Sequence, residues 1–125
     1  MRYYDTLATY ERNGFEIIVD KSYEELSPYD LFDDSVTDIK QICQDIDSGR
    51  LDWFMLRVRA LVDGHEMGSA YVGGCLYEDA KEVLTDGYAE DLIEQAIAEA
   101  KRQVWPLMRK LQAINAEMEA DAIKG

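Results

Sequence analysis

Residues 51–77 read LDWFMLRVRALVDGHEMGSAYVGGCLY. Two segments with alternating apolar residues flank Asp63-Gly64, a pair typical of a two-residue hairpin turn. The first segment places one row of apolar side chains on a single face: Phe54, Leu56, Val58, Ala60 and Val62. We expect Met67 and Tyr71 of the returning segment to lie opposite this row. The stretch therefore predicts an antiparallel β-hairpin with one buried face.

The other residues of this hairpin carry two further signals. Arg57 and Arg59 stand between apolar residues on the second face, and we expect them to pair with carboxylates of the hairpin or of a covering loop. Gly68, Gly73 and Gly74 lie in the returning strand. Glycine inside a strand indicates a β-bulge or the close approach of another backbone.

Asn13-Gly14 predicts an earlier hairpin, because both central residues of a type I′ turn need positive φ. Centring the turn there sets the register: Arg12 with Phe15, Tyr10 with Ile17, and Ala8 with Val19. The predicted core face consists of Tyr10, Phe15, Ile17 and Val19. The same register places Glu11 directly opposite Glu16, where like charges repel unless solvent or a cation from elsewhere screens them.

The two hairpins are separated by a charged loop and a helix. Residues 20–34 predict a loop whose aromatic side chains indicate that it packs on the body. A helix is expected from Ser35 to Ser48, with Ser35 as the N-cap and Asp38 completing a capping box. Gly49 suits the position just beyond the helix. The predicted buried stripe consists of Val36, Ile39, Ile42 or Cys43, and Ile46.

After residue 78 the pattern is helical. A short helix is predicted at Asp79–Thr85, followed by a long one over about 88–120 that Pro106 should kink. Apolar residues recur along the long helix at alternating spacings of four and three, a heptad seam: Ile93, Ile97, Ala100, Val104, Leu107, Leu111, Ile114 and Met118. We expect its first half to pack on the hairpins and its second half to leave the body.

The second half of the seam has two interpretations. One is self-association through an exposed stripe, formed by Val104, Leu107, Leu111, Ile114 and Met118. The other is core packing within one chain. A basic cluster also lies here and in a dimer would meet the acidic patches of the second subunit: Lys101, Arg102, Arg109 and Lys110.

Together these elements predict one α+β domain over residues 1–125. Two antiparallel hairpins form a single four-stranded sheet, which packs with two to three helices, and the C-terminal helix over about 88–120 projects for self-association. A chain of 125 residues is long enough to bury a core without disulfides or metals.

Composition excludes several classes of function. The net charge of −13 disfavours binding to nucleic acid or to an anionic membrane. His65 beside the Asp63-Gly64 turn, with Cys43 and Cys75, offers neither a catalytic dyad nor a zinc ligand set. Residues 45–52 faintly resemble a calcium loop, but a helix C-terminus explains them better. We therefore expect no catalytic residues, no metal and no cofactor.

The first residues lack the apolar run of a signal peptide, and the two cysteines lack a disulfide framework. No apolar run approaches the length of a membrane span. We expect a cytoplasmic protein of a bacterial host cell.

The negative charge is concentrated in two segments, residues 20–47 and 78–99, each with a net charge of −7. A surface shaped only for stability would alternate charge signs, so these carboxylates are candidates for binding a basic partner. An alternative is a solvated face that serves solubility. The candidate partner-binding acids are Glu24, Glu25, Asp30, Asp33, Asp34, Asp38, Asp45, Glu78, Asp79, Glu82, Asp86, Glu90, Asp91 and Glu94.

In size and charge over its whole length, the chain resembles the small acidic inhibitors of phages and mobile elements, of the anti-CRISPR and anti-restriction type. That resemblance implies a non-enzymatic protein that occupies the nucleic-acid-binding surface of a host defence complex as a nucleic-acid mimic. A dimeric structural or adaptor protein assembled through the C-terminal helix is the alternative. A third hypothesis, an enzyme with paired carboxylates, requires two acids in one cleft with separated pKa values.

Overall fold

The computed structural model describes residues 2–33 and 38–124 and has the predicted α+β class. Four antiparallel strands form one sheet in sequence order: β1 (Asp5–Arg12), β2 (Phe15–Tyr23), β3 (Asp52–Val62) and β4 (His65–Tyr77). The helices are α1 (Pro28–Leu31), α2 (Ile39–Asp47), a 3₁₀ helix (Ala80–Leu84) and α3 (Tyr88–Lys124). The order makes β1 and β4 the two edges of the sheet.

The first hairpin has the predicted turn and register. Asn13 and Gly14 have φ values of 54° and 84°, as a type I′ turn requires. The three predicted residue pairs form, and Glu11 faces Glu16 with both side chains exposed to solvent. The predicted core face is correct for the three residues of β2. It is wrong for Tyr10, which remains 36% exposed because it lies on the edge strand β1.

The second hairpin turns at Asp63 as predicted, but two bulges change its pairing. The register shifts between Phe54 and Leu56 and again between Ala60 and Leu61. As a result two predictions are wrong. Tyr71 pairs with Arg57 on the other face of the sheet and is half exposed, and Val62, predicted as core, is 41% exposed at the hairpin tip.

Glycine marks both irregular places in β4. Gly74 has a φ of 67° at the bulge opposite Met55, a conformation that favours glycine. Gly68 lies where α3 crosses the sheet, and a Cβ there would stand 2.2 Å from the backbone oxygen of Ala96. Both expectations for strand glycine, a bulge and a close backbone approach, are confirmed.

The region between the hairpins differs from its prediction in detail. β2 continues to Tyr23, and Pro28, expected only to break the loop, occupies the first turn of α1, where its missing N–H costs nothing. α2 begins at Ile39 with Asp38 as its N-cap, and not with Ser35. Residues 34–37, including Ser35 and Val36, lie outside the described residues.

The remaining predictions for this region are confirmed. α2 ends at Asp47, followed by Ser48 as C-cap and by Gly49 with a φ of 83°. The helix C-terminus therefore explains residues 45–52, as expected. The loop packs on the body, because the indole N–H of Trp53 donates to the Leu26 carbonyl at 2.9 Å and Phe32 lies against the Trp53 ring.

α3 has two halves with different environments. Its first half covers the apolar face of the sheet with buried side chains: Ala89, Leu92, Ile93, Ala96, Ile97 and Ala100. Beyond Val104 every described side chain is exposed, so the second half leaves the body as predicted. The helix continues through Pro106, and a kink there stays a prediction.

Among the described residues, no helix combines the length and the apolar character needed to cross a lipid bilayer.

Candidate interaction surfaces

The projecting segment, residues 101–124 of α3, presents an apolar stripe to solvent. Leu111, Ile114 and Met118 are 53%, 52% and 64% exposed, and Leu107 is 42% exposed. Val104 is the only member of the predicted stripe that packs partly against the core. Packing within one chain therefore accounts for the first half of the heptad seam and not for the second.

An apolar groove adjoins the stripe where the β3–β4 hairpin tip meets α3. It has a volume of about 310 Å³ and is lined by Val62, Asp63, His65, Met67, Val104, Leu107, Met108 and Leu111. Val62 and Met108 were not among the predicted self-association residues. The signal for Met108 was available in the sequence, since it directly follows a seam position. The exposure of Val62 could not be predicted, because it depends on the bulge beside Leu61.

Most of the predicted partner-binding acids have local partners in the fold. Five accept hydrogen bonds from backbone N–H groups at the starts of helices, where a carboxylate stabilises unpaired donors and the helix dipole. These five are Asp30, Asp38, Asp79, Glu82 and Asp86. The clustering of acids before helices is thus partly a consequence of capping.

Four more predicted acids make contacts within the body. Glu24 accepts from the Gly74 N–H at 2.8 Å and holds the loop on the bulge. Glu25 pairs with an arginine near the N-terminus, and Asp45 is buried at the end of α2 beside Arg50. Glu90 pairs with Arg12 and ties the first hairpin to the first turn of α3.

The side chains of three of the predicted acids are exposed and make no hydrogen bond or ion pair within residues 2–33 and 38–124: Glu78, Asp91 and Glu94. Asp33 is exposed after α1, and Asp34 lies outside the described residues. All three free carboxylates lie in the second acidic segment, residues 78–99. The prediction that this segment binds a basic partner stays a prediction.

A buried carboxylate lies on the face of the sheet opposite α3. Asp20 is 1% exposed and accepts hydrogen bonds from Arg57 at 2.5 and 3.1 Å and from Arg59 at 3.2 Å. Thr6 donates to the same carboxylate at 3.1 Å, and the ring of Tyr4 lies 3.4 Å from the Arg57 guanidinium carbon. The expected pairing of both arginines with a carboxylate is confirmed. Its location differs from the prediction, because Asp20 belongs to β2 of the first hairpin and not to the second hairpin or a covering loop.

Burial raises the pKa values of two side chains near the Gly73-Gly74 bulge, Cys75 and Tyr77. Burial raises the pKa of the Cys75 thiol to about 11, so the thiol stays protonated near neutral pH and is a poor nucleophile. Burial, with a hydrogen bond to Asp86, also raises the pKa of Tyr77. Both side chains border a shallow pocket beside the Gly73-Gly74 bulge.

The described residues contain no group of three or more His, Cys, Asp or Glu side chains arranged to hold a metal ion. His65 is exposed at the tip of the second hairpin. Comparison of the chain with protein-family models, with curated proteins and with solved structures found no match.

Proposed function

We propose that this protein is a non-enzymatic interaction protein that forms a homodimer through the projecting segment of α3 and serves as a structural or adaptor component. The observation that carries the proposal is the exposed apolar stripe of Leu107, Leu111, Ile114 and Met118 on a continuous helix. The seam spacing of the stripe is that of helices that bury such residues against another helix.

A second copy of the chain is the occupant favoured by the spacing. The stripe continues the seam by which α3 packs on its own sheet, without a break in the alternation of four and three residues. A contiguous apolar row of this length on a helix surface is unfavourable in water. Burial against an identical helix removes both rows from solvent at once.

The test is the mass of the protein in solution, measured by light scattering and sedimentation. The wild type is expected to be a dimer, and Leu111→Glu is expected to be a monomer with unchanged circular dichroism of the sheet. Ala116→Glu is the matched control, because Ala116 is exposed on the opposite side of the helix. It adds the same charge and is expected to leave the dimer intact. A monomeric wild type at micromolar concentration would contradict the proposal.

The second candidate function is an inhibitor from a phage or mobile element that blocks the nucleic-acid-binding surface of a host CRISPR or restriction complex. Glu78, Asp91 and Glu94 support it, because they are exposed and have no ion-pair partner among the described residues. Exposed carboxylates just before the 3₁₀ helix and on the first two turns of α3 suit a surface that normally holds phosphates. Such an inhibitor would act in the cytoplasm of the host cell, where the two free thiols would remain reduced.

This second candidate is tested by salt-dependent capture from bacterial lysate, followed by a nuclease assay of the captured complex. We expect a nucleic-acid-binding complex at low salt, loss of capture at high salt, and inhibition of the complex by the added protein. The variant Glu78→Gln/Asp91→Asn/Glu94→Gln should lose both effects. The control Glu11→Gln/Glu16→Gln/Glu66→Gln removes the same charge from exposed strand positions. Equal behaviour of the two variants would refute a specific acidic surface.

A further inference from the structure

Apart from its last residue, Lys124, the projecting segment separates its charges along its length. Residues 101–110 contain four basic residues and no acid, and residues 111–123 contain three acids and no base. The basic residues are Lys101, Arg102, Arg109 and Lys110, and the acids are Glu117, Glu119 and Asp121. A helix charged in this way is complementary to a copy of itself that runs in the opposite direction.

The seam gives a register for such a pairing. Each heptad has two seam positions, which Leu111 and Ile114 occupy in one heptad of this helix. In an antiparallel pair, a residue at the first position packs against a residue at the second position of the other helix. Placing Leu111 opposite Ile114 of the second copy also places Leu107 opposite Met118. The centre of the pair then lies between residues 112 and 113, and the basic half of each helix lies beside the acidic half of the other.

In this register two flanking charges meet. Lys110 directly precedes the seam residue Leu111, and Glu117 directly precedes the seam residue Met118. In antiparallel helices, the residues that precede the first seam position of each heptad face each other across the pair. Lys110 of each copy therefore meets Glu117 of the other, which gives two identical ion pairs. Both side chains are exposed, and neither has an ion-pair partner in the part of the chain that the structure describes.

A parallel pair gains nothing comparable. In a parallel pair, the residue that precedes the first seam position of a heptad faces the residue numbered five higher on the other helix. Lys110 would face Asn115, and Gln103 would face Met108. A parallel pair would also bring both hairpin tips beside the same stretch of helix, since each tip flanks residues 104–111 of its own chain.

We propose that two copies of this chain pair antiparallel through the projecting segment, with Lys110 of each copy paired to Glu117 of the other; this rests on the proposed homodimer. The C-terminal part of each helix then lies beside the groove at the hairpin tip of the other copy. At 1.5 Å per residue, the two points beyond Val104 where the helices leave their sheets are about 25 Å apart along the pair. The dimer thus carries two sheet bodies at opposite ends of a helical rod, as a bivalent adaptor requires.

The orientation is tested by the distance between spin labels on Ile123→Cys, in a background with Cys43→Ser and Cys75→Ala. Dipolar spectroscopy is expected to give about 30 Å between the labelled sites, whereas a parallel pair would give about 10 Å. The mass of the same sample is measured by sedimentation. A dimer with the short distance overturns the antiparallel orientation alone. A monomer overturns the proposed homodimer, and the orientation with it.

Charge-reversal variants provide a second test, which concerns the pairing of Lys110 with Glu117. Lys110→Glu and Glu117→Lys should each weaken the homodimer roughly tenfold, because attraction becomes repulsion at two symmetric contacts. A mixture of the two variants should form heterodimers, and the double variant should recover the wild-type affinity. Arg109→Glu, on the outer side of the helix, should have little effect. Equal effects of Lys110→Glu and Arg109→Glu, or no recovery in the double variant, overturn the pairing.

Discussion

Gly68 of β4 and Ala96 of α3 touch through their backbones: a Cβ atom on Gly68 would stand 2.2 Å from the Ala96 oxygen and 2.6 Å from the Ala100 nitrogen. Ala96 and Ala100 are fully buried. Small residues on both sides therefore let the helix lie close against the sheet. This contact fixes the path of α3 and hence the direction in which its second half leaves the body.

Gly68→Ala should destabilise the protein by about 3 kcal/mol or more, because backbone atoms cannot move aside for one methyl group as a flexible side chain can. The φ of Gly68 does not lie in the left-handed region, so lack of space is the cause and not backbone strain. The free energy of unfolding is measured by urea titration. Ser69→Ala is the control at the next residue, and a similar small change for both variants would contradict the prediction.

The hairpins could be predicted almost completely from the sequence, because turn chemistry and alternation are local. Asn13-Gly14 predicted the register of β1 with β2 from Arg12 to Ala8, and a bulge between Thr6 and Ala8 shifts it beyond that point. The bulges at Met55 and Leu61 could not be placed, since they depend on how α3 and the loop pack on β4. The orientations of Val62 and Tyr71 followed from those bulges and were wrong for that reason.

Asp20→Asn should destabilise the protein by about 3 kcal/mol, because it leaves two arginines on the sheet without their shared carboxylate. Asp20 accepts three hydrogen bonds from Arg57 and Arg59. Thermal and urea unfolding measure the loss. Glu16→Gln removes one negative charge from the same face of the same strand but at an exposed site opposite Glu11. It should change the stability by less than about 0.5 kcal/mol.

The stability should fall between about pH 9 and pH 11 because of Cys75. Burial raises the pKa of this thiol from 9.0 to about 11 in the native protein. In that window the native state keeps a proton that the unfolded state loses, so rising pH favours unfolding. The wild type should lose about 2 kcal/mol relative to Cys75→Ala across the window. Urea titrations of both proteins from pH 8 to pH 11 measure it, and parallel curves would contradict it.

The sequence pattern did not show which acids of the two acidic segments cap helices and which are available to a partner. Like charges in a row suggested a surface made for a partner, yet capping boxes such as Asp79 with Glu82 explain several of them. The spacing of three residues between those acids was visible in the sequence. The starts of the 3₁₀ helix and of α3 match their predictions, so the caps there could have been inferred. α1 was not predicted and the cap of α2 was misplaced, because a helix boundary is the least certain part of a sequence-based prediction.

Two neighbouring acids should therefore behave differently when replaced. Asp79 accepts from the Lys81 N–H at 3.0 Å as the N-cap of the 3₁₀ helix, so Asp79→Ala should lower the free energy of unfolding by about 1 kcal/mol. Glu78 is exposed and has no such contact in the described part of the chain. Glu78→Ala should leave the stability unchanged within about 0.5 kcal/mol. If both variants lose the same stability, capping does not explain the acids of this segment. If only Asp79→Ala does, Glu78 remains free to contribute to binding at no cost to the fold.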